Sequence, residues 1–143
     1  ELEVPSDNIA LDEIIQSCFN VDFEIINIIS KDSLEIVDED RDILVETIKK
    51  LENENIIIVH GTDTIDITAK YLSDRIENKK IVLTGAMVPM SIKKVEATLN
   101  FAQAIGFLNA SIPNGVYISM HGCVTNYAKL LKNRQLGQFL IEE

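Results

Sequence analysis

Positive charge, cysteine and long apolar runs are all scarce in this sequence, and each shortage removes a class of function. Thirteen Lys and Arg stand against 23 Asp and Glu, a formal charge of −10, so the chain repels polyanions and offers no footprint for nucleic acid. The basic residues that cluster, Lys49-Lys50, Lys79-Lys80 and Lys93-Lys94, are dispersed pairs without interleaved aromatics and read as solvated surface. Two cysteines, Cys18 and Cys123, have neither metal-ligand spacing nor a disulfide-rich setting, which predicts reduced thiols in a cytoplasmic protein. No apolar run approaches the roughly 20 residues a membrane-spanning helix needs, and no basic-then-apolar start resembles a signal peptide. A soluble chain acting on a small molecule or a protein partner is the expectation.

What is present is enough for one globular domain: 143 residues, 46% hydrophobic. Short β-branched runs at Phe23 to Ile29, Ile56 to Val59, Ile81 to Leu83 and Val116 to Ile118 are mostly continuous rather than alternating, as in strands buried on both faces of a parallel sheet. Between them lie helical patterns. Glu39 to Asn53 carries Ile43, Leu44, Ile48 and Leu51 on one stripe, with Asp38 as N-cap. Ile65 to Glu77 carries Ile65, Ala69, Leu72 and Ile76, and Glu96 to Leu108 turns Leu99, Ala102, Ile105 and Phe101 inward. A short helix through Ile14 and Ile15 follows an extended start and a Ser6-Asp7 cap. Strand and helix alternating in this way predicts right-handed βαβ units in an α/β, three-layer doubly wound, mostly parallel sheet, Rossmann-like or flavodoxin-like, in a single domain.

Ligands of such sheets bind beyond the carboxyl ends of the strands, which puts chemistry in four loops: Ser30 to Ser33, His60 to Thr64, Thr84 to Met87 and Ser119 to Gly122. In the second, Gly61 permits a tight turn while Thr62, Asp63 and Thr64 meet a helix start, where free N–H groups stabilise an oxyanion or carboxylate. Read alone, Thr62 or Asp63 is a helix cap. The full stretch His60-Gly61-Thr62-Asp63-Thr64, followed by an amphipathic helix and then Val82-Leu83-Thr84-Gly85-Ala86-Met87-Val88-Pro89, resembles the asparaginase and glutaminase family. The likeness runs from about Val4 to Phe139 and looks closest to short, one-domain asparaginase-like proteins, with Asp32-Ser33 and Leu131-Lys132-Asn133-Arg134 as weaker matches.

That resemblance implies a catalytic constellation of Thr62, Asp63 and Lys132. Thr62 would sit by the scissile amide, Asp63 would hold the substrate's amino group, and Lys132 would help deprotonate Thr62 or a water. It further implies that Ser33, with Asp32 and Gly61, binds the substrate, Ser33 taking its α-carboxylate, and that the Ala86 carbonyl faces the side-chain amide. The implied reaction is hydrolysis of the side-chain amide of L-asparagine or a related amino acid, with no cofactor and no metal, by a cytoplasmic homo-oligomer. Three departures stand out. Leu34 follows Ser33 where a polar residue is usual, Val95 precedes Glu96 and Asn100 where the family has serine, and no Thr-Gly-Gly-Thr stretch, source of the family's nucleophile, occurs. By the family pattern Glu1 falls just after that motif's loop, so residues 1–143 correspond to an asparaginase N-terminal-type domain without its first strand and without a C-terminal domain, and the native protein is expected to start earlier. The alternatives are a catalytically impaired amino-acid-binding domain, or a subunit that a partner completes.

His60 and His121 lack neighbours at metal-ligand spacing and are expected to be packed or hydrogen-bonded loop residues. Cys123, two residues after His121, reads as a small buried thiol in a loop rather than a nucleophile beside a base. Asn126 and Tyr127 are left open between substrate contact and subunit contact.

Overall fold

The computed structural model of the protein describes residues 6–29, 31–89 and 92–142. The extended start expected before Asp7 therefore lies largely outside the described residues, as does Ser30 of the first loop. Helix α1 spans Ser6–Gln16, α2 Asp38–Lys50, α3 Ile65–Ser73 and α4 Lys94–Leu108. Strands β1 (Asn55–Val59), β2 (Lys80–Thr84), β3 (Gly115–Met120) and β4 (Cys123–Asn126) form one sheet in that order; β5 (Leu130–Asn133) and β6 (Gln138–Ile141) form a separate antiparallel pair. The first three strands are parallel and β4 is antiparallel. The result is the expected three-layer, mostly parallel α/β architecture. Among the described residues no helix is long and apolar enough to cross a membrane.

Strand alternation explains the two cores. Ile81, Leu83, Val116 and Ile118 point to one face and meet Leu44, Val45 and Ile48 of α2 with Ile65, Ala69 and Leu72 of α3; Val82 points to the other and meets Ala104 and Leu108 of α4. Each of the large aliphatics buried there contributes roughly 1.5–3 kcal/mol. Both crossovers step the same way across the sheet, β1 to β2 to β3, yet α3 and α4 cover opposite faces. Steps in one direction with helices on opposite faces must differ in hand, so the two units cannot both be right-handed as the strand-helix alternation predicted.

Other expectations need correcting. Phe23 to Ile29 joins no ladder; Ile28 packs on the core and Phe23 stacks near Phe101, while Ile25 and Ile26 are exposed. A strand exists only where a neighbour supplies its ladder, and among the described residues the outer edge of β1 is unpaired. Asp38 is the first helical residue of α2 rather than its cap; Val37 holds that position, its N–H donating to Asp40 Oδ2. The buried stripe of α2 is Arg41, Leu44, Val45 and Ile48, with Ile43 turned outward. In α4 the inward residues are Asn100, Phe101, Ala104 and Leu108, whereas Leu99 and Ala102 face solvent. The apolar residues of α4 nearly encircle the helix, so periodicity admits several rotations; a polar anchor, Asn100, selects one. Cys123 begins a strand rather than lying in a loop. A two-residue turn, His121 (φ 54°) and Gly122 (φ 85°), joins β3 to β4, and positive φ at both positions matches the right-handed twist of the hairpin.

Candidate functional site

The four expected rim loops are tied together at the carboxyl ends of the parallel strands, the third to the fourth by the Thr84 hydroxyl, which donates to the Ser119 carbonyl at 2.9 Å. The His60 N–H donates to the Thr84 carbonyl, extending the β1–β2 ladder past Val59. Gly85 lies so close to that strand end that a Cβ there would meet the His60 carbonyl oxygen at 2.2 Å, and a Cβ on Gly61 would meet Ser33 Cβ and Oγ at 2.7 Å. Both positions demand glycine for close approach. Thr64 is the N-cap of α3, but its hydroxyl makes no bond to the first-turn amides; it donates instead to the Ser33 carbonyl at 2.7 Å. The first-turn amides of α3 are thus left at the positive end of the helix dipole, beside the cleft that Thr62, Asp63, Ile65 and Asp66 line.

The β5–β6 pair closes that cleft from the other side. Lys132, on β5, donates from Nζ to Thr62 Oγ1 at 2.9 Å and to Asp63 Oδ1 at 2.8 Å. Arg134, two residues on, donates from Nη1 to the same Asp63 Oδ1 at 2.8 Å and from Nη2 to the Asp63 carbonyl at 3.0 Å. Thr62 is buried, and the Lys132 side chain is 13% exposed against 64% for Arg134. The hydrogen bonds from Lys132 and then Arg134 hold the Asp63 carboxyl below its ordinary value. The cleft between these groups and Phe139 encloses about 250 Å³, room for a small ligand. A larger cleft of about 680 Å³ at the opposite ends of the strands has Lys79 in its wall, but that ammonium is engaged, donating to the Leu51 and Asn53 carbonyls.

Two networks brace the rim. The His60 Nδ1 lies 2.6 Å from the Gly61 carbonyl and Nε2 lies 2.8 Å from Thr68 Oγ1, which also accepts from Arg41 Nε at 3.0 Å. Since a carbonyl only accepts, Nδ1 carries the proton and Nε2 accepts from the Thr68 hydroxyl. Burial, opposed by the Gly61 bond, keeps the His60 ring below its ordinary pKa and hence neutral. In the second network fully buried Asn100 donates to the Gly85 carbonyl at 2.8 Å and accepts the His121 N–H at 2.9 Å. His121 Nδ1 accepts the Phe139 N–H at 3.2 Å, and its Nε2 lies 3.0 Å from Glu96 Oε2, while Glu96 Oε1 accepts the Val88 N–H. Burial pushes the Glu96 carboxyl up, but the Val88 N–H and His121 outweigh it and leave it below its ordinary value.

Of the residues named from sequence, Thr62, Asp63 and Lys132 meet directly. Gly61, exposed in the same loop, packs directly on buried Ser33. Asp32 is exposed and uses Oδ1 to accept the Leu34 N–H, capping the short helix Ser33–Glu35. Ala86 is half-buried beside Gly85 and outside the cleft lining, as are Ser33 and Asp32. Asn126 caps the short helix Tyr127–Lys129, accepting the Ala128 N–H. Sequence reasoning gave no role to Arg134, Asp66 or Phe139. Arg134 opens the turn just past β5, where strand alternation no longer fixes which way a side chain points.

The family model described as "Asparaginase, N-terminal" matches residues 4–137. An L-asparaginase of Thermococcus kodakarensis is 34% identical over 88 residues, covering 60% of this chain and 26% of that protein. A glutamyl-tRNA(Gln) amidotransferase subunit of Methanococcus vannielii is 41% identical over 81 residues, covering 54% and 19%. Among solved structures, a probable cytoplasmic L-asparaginase from Campylobacter jejuni superposes with a TM-score of 0.81 at 23% identity, over 95% of this chain and 49% of that one. These matches span about half or less of each relative's length.

Proposed function

The chain belongs to the asparaginase family, and on that premise we propose that it hydrolyses the side-chain amide of asparagine or a related amino acid, releasing ammonia. The observation that carries this reading is the contact of Lys132 Nζ with both Thr62 Oγ1 and Asp63 Oδ1, made across 70 residues of chain. A hydroxyl, a carboxylate and an ammonium converge on one small cleft next to a helix N-terminus.

In this reading water adds across the amide: its oxygen ends in the new carboxylate and its protons leave on ammonia. The Lys132 ammonium fixes the Thr62 hydroxyl and places positive charge beside the reacting carbonyl; it serves as a base only after giving up a proton of its own. Main-chain N–H groups at the Thr62 loop and the start of α3 supply donors for the tetrahedral oxyanion. Asp63 holds a cationic part of the ligand. The family's attacking hydroxyl belongs to a Thr-Gly-Gly-Thr stretch that these 143 residues do not contain, which favours as second reading an amino-acid-binding domain of the same family. Cytoplasmic residence and homo-oligomeric assembly remain part of the proposal, as does a partner subunit, in view of the amidotransferase subunits among the relatives.

The test is ammonia release from L-asparagine, L-glutamine and D-asparagine by the protein expressed from its own gene, with Thr62→Ala as control. Release that vanishes in the control supports the hydrolase; no release alongside calorimetric binding of L-aspartate replaces it with the binding domain.

A further inference from the structure

The β5–β6 pair that carries Lys132 shares no ladder with the four-stranded sheet, so side chains set its place over the cleft. Across the pair Lys132 stands opposite Phe139. The Phe139 N–H donates to His121 Nδ1 at 3.2 Å, among the described residues the one hydrogen bond from β6 to the four-stranded sheet and its turns. The buried Phe139 ring also lies edge-on to His121, with centroids 6.1 Å apart. His121 thus joins the β3–β4 turn to the residue directly across from Lys132.

We infer that His121 is a positioning residue for Lys132 and that it holds β6 only while its ring is neutral. A main-chain N–H only donates, so Nδ1 must offer its lone pair to Phe139. The Glu96 carboxylate, 3.0 Å from Nε2, accepts the ring's single proton and fixes that tautomer. Glu96 is held in turn by the Val88 N–H, and the His121 main chain by Asn100, so the ring is presented from a braced base. A second proton, on Nδ1, sets two N–H groups against each other and releases β6, while the contact with Glu96 survives. The titratable groups around the ring are Glu96 from α4, Cys123 from β4 and, across the ladder from Phe139, Lys132. What Lys132 does in turnover rests on the proposed amide chemistry; the link from His121 to Phe139 does not.

The experiment measures the protection of the Phe139 amide against hydrogen exchange by NMR between pH 5 and 8, in the full chain and in His121→Asn and His121→Gly. Both substitutions suit the left-handed backbone at this position, φ 54°. Asparagine keeps an acceptor close to the place of Nδ1 and does not titrate; glycine keeps none. Every variant retains His60, so differences between them belong to His121. The ratio of protection in the parent to that in His121→Asn is expected to be near one at pH 8 and to fall on the order of tenfold by pH 5, with His121→Gly unprotected throughout. The same ratio taken from kcat for ammonia release from L-asparagine should fall in parallel, with KM changing less. Matching pH profiles in the parent and His121→Asn, or parent-like protection in His121→Gly, overturn the inference, as does a kcat ratio that ignores a change at Phe139. The expected exchange pattern without ammonia release removes the hydrolase reading and upholds the link from His121 to β6.

Discussion

Truncating Asn100 to alanine should destabilise the protein by an amount that its contacts allow to be worked out. Asn100 is fully buried, and its amide satisfies the Gly85 carbonyl at 2.8 Å and the His121 N–H at 2.9 Å. Removing it strands both groups. The Gly85 carbonyl lies among buried residues and loses its partner at close to full cost, about 2–3 kcal/mol, whereas His121 is near enough to water for its N–H to cost about 1 kcal/mol. The expected loss is therefore roughly 3–4 kcal/mol, a fall of roughly 1.5–2 M in urea midpoint at a slope of about 2 kcal/mol/M. Asn100→Asp separates the two bonds. Its carboxylate still accepts the His121 N–H but cannot donate to Gly85, whereas the protonated acid can do both. Burial and the facing carbonyl raise the folded-state pKa of that group above its unfolded value near 3.9. Its stability is then closest to the parent's below about pH 4 and falls away as pH rises through the folded pKa. Urea titrations of the parent and both variants between pH 4 and 8 measure this. A midpoint shift under about 0.3 M for Asn100→Ala, or a pH-independent penalty for Asn100→Asp, would refute the assignment of Asn100 as the strut between the Gly85 and His121 loops.

Gly85→Ala should lower the midpoint by a comparable amount, since its Cβ would meet backbone oxygen at 2.2 Å and the end of β1 must move; unaltered stability and hydrogen exchange at His60 would contradict that packing. His60 is held neutral, with a folded pKa below its ordinary 6.5, so the unfolded chain takes up a proton first. Stability is full above about pH 6.5 and declines as pH falls below it, and His60→Gln should flatten this slope in the same titration. If the cleft works as proposed, Lys132→Met reduces ammonia release by at least about 100-fold with a smaller change in aspartate affinity, and Asp63→Ala abolishes binding of aspartate. Equal loss of turnover and binding in Lys132→Met would instead make that lysine a binding group.

Much of the fold was legible because local patterns are decided by local physics. The runs at β1, β2 and β3 are short, β-branched and flanked by turn residues, and Ile65, Ala69 and Leu72 can share a face only on a helix. Phe23 to Ile29 has the same composition as those strands and is not one, because strand formation needs a partner edge that composition does not reveal. The antiparallel strands β4 to β6 are four residues each, too brief and too mixed in character to register as runs. In α4 the ambiguity was rotational, since its apolar residues leave no single dominant face.

The site divides in the same way. Sequence by itself determined the chemistry available at the strand ends, because His60 to Thr64 and Thr84 to Met87 are contiguous stretches whose turn and helix-start geometry follows from their own residues. It also determined the negative charge, the scarcity of cysteine and the family to which the chain belongs. Tertiary structure alone decided that Arg134 shares Asp63 with Lys132, that Asn100 props the rim from within, and that the two crossovers differ in hand. Each of these depends on how distant segments pack. Such packing energies belong to pairs of surfaces, and a one-dimensional pattern records only one surface at a time.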